Sequence, residues 1–258
     1  MKAAIVALLF AAAFAQVRAQ AMDVVDLPTR SGVTERIAVI AADSPKATVI
    51  LLAGGLGRLR IFDNGSIRND GNFLIRSRAL FAQHQLAVVV VDAPSDQPNG
   101  MAVAFRESAE HVTDLSAVIA WARAKWSKPV WLVGTSRGTQ SAAHAAVALA
   151  NDARSPDGIV LSSSILARSR RDGGTPIQEQ PLDRLKIPVL IVHHDSDPCP
   201  ICAPSLLREL KLPATGSKIV MESGGISTGD PCEAFSHHGY NGIEGAVVAD
   251  ISAFITGH

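Results

Sequence analysis

The feature that most limits the fold is a succession of short apolar runs rich in β-branched residues, with longer amphipathic stretches set between them. Thr48 to Ala53, Leu86 to Pro94, Pro129 to Gly134, Gly158 to Ser163, Ile187 to His194 and Ser217 to Glu222 read as strands. Near-continuous hydrophobic runs are what a strand needs when helices cover both faces of its sheet, so all of these are expected to be buried on both sides. Between them the spacing changes to that of a helix. From Ser108 to Trp126, the residues Leu115, Ile119, Ala122 and Trp126 recur at intervals of three or four and form one stripe. Ile243, Val247, Ile251 and Phe254 repeat the pattern near the C-terminus. Weaker segments at Met22 to Thr29 and Arg36 to Ala41 fit an antiparallel edge. The fold class is therefore α/β, a mostly parallel central sheet with helices on both faces.

With 258 residues, of which 47% are hydrophobic, the chain can bury one substantial core and is too apolar for disorder. No repeat and no Pro/Gly-rich linker divides it, so residues 22–258 are expected to form a single domain. The 24 basic side chains balance 24 acidic ones, and no basic stripe is interleaved with aromatics. Such a chain lacks the field that holds a phosphate backbone, and nucleic acid is not an expected partner. The later apolar runs have strand length, so the mature protein is not expected to be membrane-embedded.

Residues 1–21 read as a signal peptide. Lys2 gives the positive start, Ala3 to Ala15 the apolar segment, and small residues suit cleavage after Ala19 or Ala21. A buried first helix fits less well, because the segment is short, Ala-rich and set off from the first strand. Its removal takes away Lys2 and Arg18 and no acid, leaving 22 basic against 24 acidic residues. The expected location is periplasmic or secreted, where cysteines oxidise.

Gly134-Thr135-Ser136-Arg137-Gly138 is a G-x-S-x-G sequence immediately after a strand and before an Ala-rich helical run. The turn is tight, and a Cβ at either glycine is expected to collide with the neighbouring strand or helix. Ser136 is then held at the carboxyl edge of the sheet. A serine hydroxyl needs a base, and the base needs an acid that fixes its tautomer. Candidates follow later strands: His193-His194-Asp195-Ser196-Asp197, and then Ser236-His237-His238-Gly239-Tyr240.

The order Ser, Asp, His together with the elbow resembles the α/β-hydrolase superfamily over almost the whole mature chain. That resemblance implies Ser136 as nucleophile, Asp197 as acid and His238 as base. Relatives of this kind usually read His-Gly-x-x-Asp at the acid turn; here His194 replaces the glycine, which leaves Asp195 as an alternative. His237 is a lesser candidate for the base. The oxyanion donors implied are the backbone N–H of Arg137 and one from Ala53-Gly54-Gly55-Leu56-Gly57, with Gly55 favoured and Leu56 the alternative. Superfamily members often carry His-Gly at that place, where this chain has Ala53-Gly54.

Several other features carry less. Asp92 ends a strand and is expected to organise the turn Ala93 to Asp96 through its side chain. Arg168, Arg170 and Arg171 read as a solvated loop in a short stretch that leaves room only for a small lid. Cys199-Pro200-Ile201-Cys202 beside His193 and His194 lacks the second ligand pair of a structural zinc site, so no metal and no cofactor is expected.

What the resemblance implies is an exported serine hydrolase, a carboxylic-ester hydrolase working through an acyl-enzyme on a small-molecule ester or related acyl substrate. A peptidase or thioesterase would use the same triad, and a non-catalytic periplasmic binding protein on this fold is the alternative from another class. Placing the acid and base loops together also implies a disulfide between Cys199 and Cys232. Cys202 with Cys232 is the competing pair, and Cys199 with Cys202 a lesser one.

Overall fold

The computed structural model describes residues 22–169 and 174–258. The segment 1–21, Arg170 and Arg171 lie outside the described residues. Eight strands form one sheet: β1 (Asp23–Arg30), β2 (Val33–Ile40), β3 (Ala47–Leu52), β4 (Leu86–Val91), β5 (Val130–Thr135), β6 (Gly158–Ser162), β7 (Val189–His194) and β8 (Ser217–Glu222). Their spatial order is β1-β2-β4-β3-β5-β6-β7-β8. β1 and β2 form an antiparallel pair, and β2 runs antiparallel to β4. From β4 to β8 every pairing is parallel.

Six α-helices among the described residues accompany the strands: α1 (Phe73–Arg76), α2 (Arg78–Gln83), α3 (Val103–Arg106), α4 (Ala109–Trp126), α5 (Arg137–Ala148) and α6 (Glu244–Thr256). Side chains alternate across a strand, so one strand feeds two cores. Ile50 and Leu52 of β3 join Leu115, Ile119 and Ala122 of α4 and the alanines of α5. Val49 and Leu51, one position away, join Phe73, Phe81, Val247 and Ile251 on the opposite face. Ala142, Ala143, Ala145 and Ala146 are all buried, and their small size lets α5 lie close to β5 and β6. α4 starts where the Ser108 side chain accepts from the His111 amide, and stops at Ser127 in the left-handed conformation. No helix among the described residues is long and apolar enough to cross a membrane.

Two expectations need correction, and a third, for Asp92, needs extension. β8 is not covered on both faces: it pairs only with β7, and Ile219 and Met221 are exposed. Its apolar composition suits a pleated strand, but it is the last strand of the sheet, and no further strand among the described residues pairs with its outer edge. The run from Leu86 ends as a strand at Val91. Asp92 then turns inward, and its carboxylate accepts from the amides of Leu59 at 2.6 Å, Ile61 at 2.9 Å and Ala93 at 2.8 Å. It therefore braces the distant Leu59–Ile61 segment as well as the start of its own turn.

Candidate active site

β5 delivers Ser136 to the carboxyl edge of the sheet with φ 52° and ψ −123°. A non-glycine residue held there costs about 1–3 kcal/mol and persists only when its surroundings fix it. They do so here: the Ser136 amide donates to the Ser162 carbonyl at 3.0 Å, and its own carbonyl accepts from the Thr139 amide and hydroxyl at 2.9 and 2.6 Å. A Cβ on Gly134 would lie 2.3 Å from the Gly138 carbonyl oxygen, and one on Gly138 would lie 2.0 Å from that of Leu52. The first contact is with the following helix and the second with β3, so both glycines are required by backbone and not by flexible side chains. Gly54 meets the same turn from the other side, where a Cβ would stand 2.9 Å from that of Ser136.

Asp197 and His238 are brought together by loops following β7 and β8. Asp197 Oδ2 accepts from His238 Nδ1 at 2.9 Å, while Oδ1 accepts from the Cys199 amide at 2.9 Å. With Nδ1 donating, the imidazole lone pair is on Nε2, a buried atom that has no hydrogen-bond partner among the described residues. The histidine backbone is stitched to the sheet: the Ser163 hydroxyl donates to the His238 carbonyl at 2.6 Å, and the Tyr240 hydroxyl donates to Val192 O at 2.8 Å. Burial raises the Tyr240 phenol far above its ordinary value, which keeps it a neutral donor. A Cβ on Gly239 would lie 1.9 Å from the Ala234 carbonyl oxygen, so the residue after His238 must be glycine.

The neighbouring candidates stand elsewhere. Asp195 is exposed and accepts from the Ser196 hydroxyl at 2.8 Å. His237 stacks on His194 with ring centroids 4.2 Å apart. His194 accepts from the Ser196 amide on Nδ1 and donates from Nε2 to the Gly224 carbonyl at 2.8 Å. It therefore braces the turn that carries Asp197. His193 is fully buried with Nδ1 4.0 Å from Asp197 Oδ2. Burial pushes its pKa down to about 4 against the pull of Asp197, so it is a neutral neighbour at physiological pH.

After β3 the chain passes through Gly54, Gly55, Leu56 and Gly57. Gly55 has φ 57°, and the Gly57 amide closes a turn on Gly54 O at 3.1 Å. Neither the Gly55 nor the Leu56 amide donates to an acceptor among the described residues, and both residues line the cavity. Arg137 opens α5 directly after Ser136. Sequence reading missed what fixes this loop. Arg106, 1% exposed, donates from Nη2 to the carbonyls of Ala53 at 3.1 Å and Gly55 at 3.0 Å, and from Nη1 to the Ser141 hydroxyl at 2.9 Å. Burial, with Arg137 nearby, pushes its pKa down to about 9. Nothing local to a four-residue helix signals such a role.

These elements surround an open cavity of about 810 Å³ whose wall includes Gly55, Leu56, Ser136, Arg137, Phe235 and His238. Leu56 and Phe235 expose large apolar surfaces. The stretch between β6 and β7 contributes Ser169 to the wall and two short 3₁₀ turns, Ile177–Glu179 and Leu182–Arg184. Arg168 there is ion-paired with Glu179.

Cys199 and Cys232 are joined by a disulfide with Cα atoms 4.6 Å apart. Cys202 is a buried free thiol, and burial pushes its pKa well up. Ligand atoms of Cys199, Cys202 and His238 lie within 4.8 Å of one another, a cluster that includes neither His193 nor His194.

No protein-family model matches the chain, and no curated protein matches it. Its fold nonetheless has many solved counterparts. A dienelactone hydrolase from Anabaena variabilis superposes with a TM-score of 0.63 at 13% identity, covering 93% of this chain and 99% of that one. Est1E from Butyrivibrio proteoclasticus gives 0.57 at 14% identity, covering 90% and 97%. XC6422 from Xanthomonas campestris, described as an α/β serine hydrolase without a lid, gives 0.54 at 18% identity, covering 90% and 91%.

Proposed function

We propose, on the premise of the α/β-hydrolase fold that this chain has, that it is an exported serine hydrolase acting on small or medium carboxylic esters. The observation that carries this reading is the Asp197–His238 hydrogen bond, which leaves the Nε2 lone pair without a partner, at a cavity that Ser136 and His238 both line. Ser136 attacks the ester carbonyl while His238 Nε2 takes its proton, and Asp197 holds the tautomer and stabilises the imidazolium. The N–H groups of Arg137 and Gly55 hold the oxyanion, with the Leu56 amide as a neighbouring donor. His238 then returns its proton to the leaving alcohol and activates the water that cleaves the acyl-enzyme. No step in this sequence calls for a cofactor.

The cavity's volume and the exposed Leu56 and Phe235 side chains support a substrate with an apolar portion. Solved counterparts of the fold that are named esterases support an ester over an amide. The disulfide supports an oxidising compartment, in keeping with residues 1–21 as a cleaved signal. Labelling by a fluorophosphonate probe tests the reading without knowledge of the substrate. Wild type should label and hydrolyse chromogenic esters. Ser136→Ala should stay folded and do neither, because loss of a nucleophile costs on the order of 10⁶ in turnover. Hydrolysis that survives in that variant would overturn the assignment.

A further inference from the structure

We infer that reduction of the Cys199–Cys232 disulfide creates a zinc site from Cys199, Cys202, Cys232 and His238, and that a metal bound there holds the enzyme inactive. In the oxidised chain the Sγ atoms of Cys199 and Cys202 and a ring nitrogen of His238 already lie within 4.8 Å of one another. A tetrahedral zinc with bonds of about 2.3 Å to sulfur sets its ligands about 3.8 Å apart, so small side-chain shifts complete that geometry. Cys232, bonded to Cys199 but outside that cluster, is the fourth donor once the bridge opens and its side chain turns inward. Three thiolates and one imidazole form a ligand set suited to zinc.

The cysteines are held by turns that do not depend on the disulfide. The Cys199 amide donates to Asp197 Oδ1 at 2.9 Å, and the Cys202 amide donates to the Cys199 carbonyl at 2.9 Å. The Cys232 amide donates to Asp230 Oδ1 at 2.9 Å, and the Ser236 hydroxyl reaches back to the Pro231 carbonyl at 2.9 Å. Ile165 and Ile201 pack on Cys199 and Cys202 and keep water from one side. His238 supplies the independent sign of a ligand: Nε2 is buried, lacks a partner and retains its lone pair because Nδ1 donates to Asp197. A carboxylate on the far nitrogen is the arrangement that orients histidines bound to zinc.

The chemistry balances with a dithiol as reductant. It delivers two electrons and two protons to the Sγ–Sγ bond and becomes a disulfide itself, leaving Cys199 and Cys232 as thiols. Zinc then displaces one proton from each of Cys199, Cys202 and Cys232 into solvent. The His238 lone pair is consumed by the metal, so the inhibitory part of the inference rests on His238 being the base, whereas the binding part does not.

The test is zinc titration of protein reduced with dithiothreitol and freed of it without air, with cobalt as a spectroscopic substitute. Reduced wild type and reduced Ser136→Ala should each take up one equivalent, with thiolate-to-cobalt charge-transfer absorption; oxidised wild type should bind far more weakly. Loss of a partner that merely orients a ligand costs 10–100-fold, so Cys202→Ala and Cys232→Ser should each lose at least about 100-fold. Hydrolysis by reduced wild type should fall in step with zinc bound and return on chelation. No zinc uptake by the reduced chain, or binding undiminished in both cysteine variants, overturns the site. Zinc bound at one equivalent with hydrolysis unchanged overturns the inhibition. A chain with no hydrolysis under any condition would sink the proposed function and leave the zinc and cobalt results to stand separately.

Discussion

The guanidinium of Arg106 donates to the carbonyl oxygen of Gly55 from 51 residues away in the chain, at 3.0 Å and almost wholly out of solvent. The same nitrogen holds Ala53, so a buried cation fixes both ends of the turn that presents the Gly55 amide.

Arg106→Met should therefore act on both stability and turnover. Hydrogen bonds from a charged donor contribute about 1.5–3 kcal/mol each, and two carbonyls would be left unpaired, so a loss of about 3 kcal/mol or more is expected. For a chain of this size that is a fall in Tm on the order of 10 °C. Under the proposed function a loosened Gly55 turn weakens transition-state binding, so kcat should fall more than KM rises. Calorimetry and steady-state kinetics on a chromogenic ester check both.

Asp197→Asn should cost far more activity than Asp195→Asn. Only Asp197 touches His238, and loss of the residue that sets the tautomer costs about 10⁴ in a comparable triad. Asp195 is exposed and bonded to a serine, so its replacement should stay within a few-fold in kcat/KM. The reverse result would reassign the acid.

Two glycine-to-alanine changes should differ in sign. Gly138→Ala sets a methyl group 2.0 Å from the Leu52 carbonyl oxygen and must push β3 from α5, which should unfold the site or cost several kcal/mol. Gly245→Ala, exposed in α6 with nothing within 4 Å, should raise stability by about 0.5–1 kcal/mol. Urea unfolding of the two variants separates them.

Acid should destabilise the fold through buried histidines. His111 has its pKa pushed down to about 3 by burial and then by Arg106, and His193 is held near 4. Both sit below the unfolded value of about 6.5, so the unfolded chain binds more protons as the pH falls. Their contribution is complete above pH 6.5 and is lost as the pH falls through the folded values. For His193 it amounts to about 3 kcal/mol. The urea midpoint should drop between pH 7 and 4, with a shallower slope in His193→Gln.

Glu35 works in the other direction. Burial, then Asp114 and Asp92, raises its pKa well above the ordinary value, and neither carboxylate oxygen has a hydrogen-bond partner among the described residues. A raised carboxyl contributes fully below its unfolded value and loses that contribution as pH rises. Glu35→Gln should therefore stabilise the chain at pH 7, with the gain shrinking toward pH 4. Chemical denaturation at the two pH values checks it.

How much of this could be read in the sequence depended on how local each cause is. Gly134 and Gly138 announce the turn at Ser136 because the steric demand sits within five residues. The strand runs announce the parallel sheet because both-face burial demands both-face hydrophobicity. β8 was misread because Ile219 and Met221 have the composition of a covered strand, and nothing local says that the sheet stops there. Arg106 gave no signal because its partners Ala53, Gly55 and Ser141 lie in other elements and become neighbours only in the folded chain. Asp92 was placed at a turn, but the amides it braces at Leu59 and Ile61 belong to the loop after β3.

The Cys199–Cys232 bridge spans 33 residues, and β8 lies inside the covalent loop that it closes. An edge strand held by one neighbour is the part of a sheet most prone to local opening, since peeling it away breaks a single ladder. With the bridge in place, β8 can leave β7 only by dragging a tethered ring across the two loops that hold Asp197 and His238. Closing a loop of this length restricts the unfolded chain by about 3–4 kcal/mol, so the fraying of that edge becomes coupled to disassembly of the Asp197–His238 pair. Amide hydrogen exchange along Ser217–Glu222 should therefore be slow in the oxidised chain and fast after reduction, which makes the outermost strand of the sheet a reporter of the redox state at its carboxyl edge.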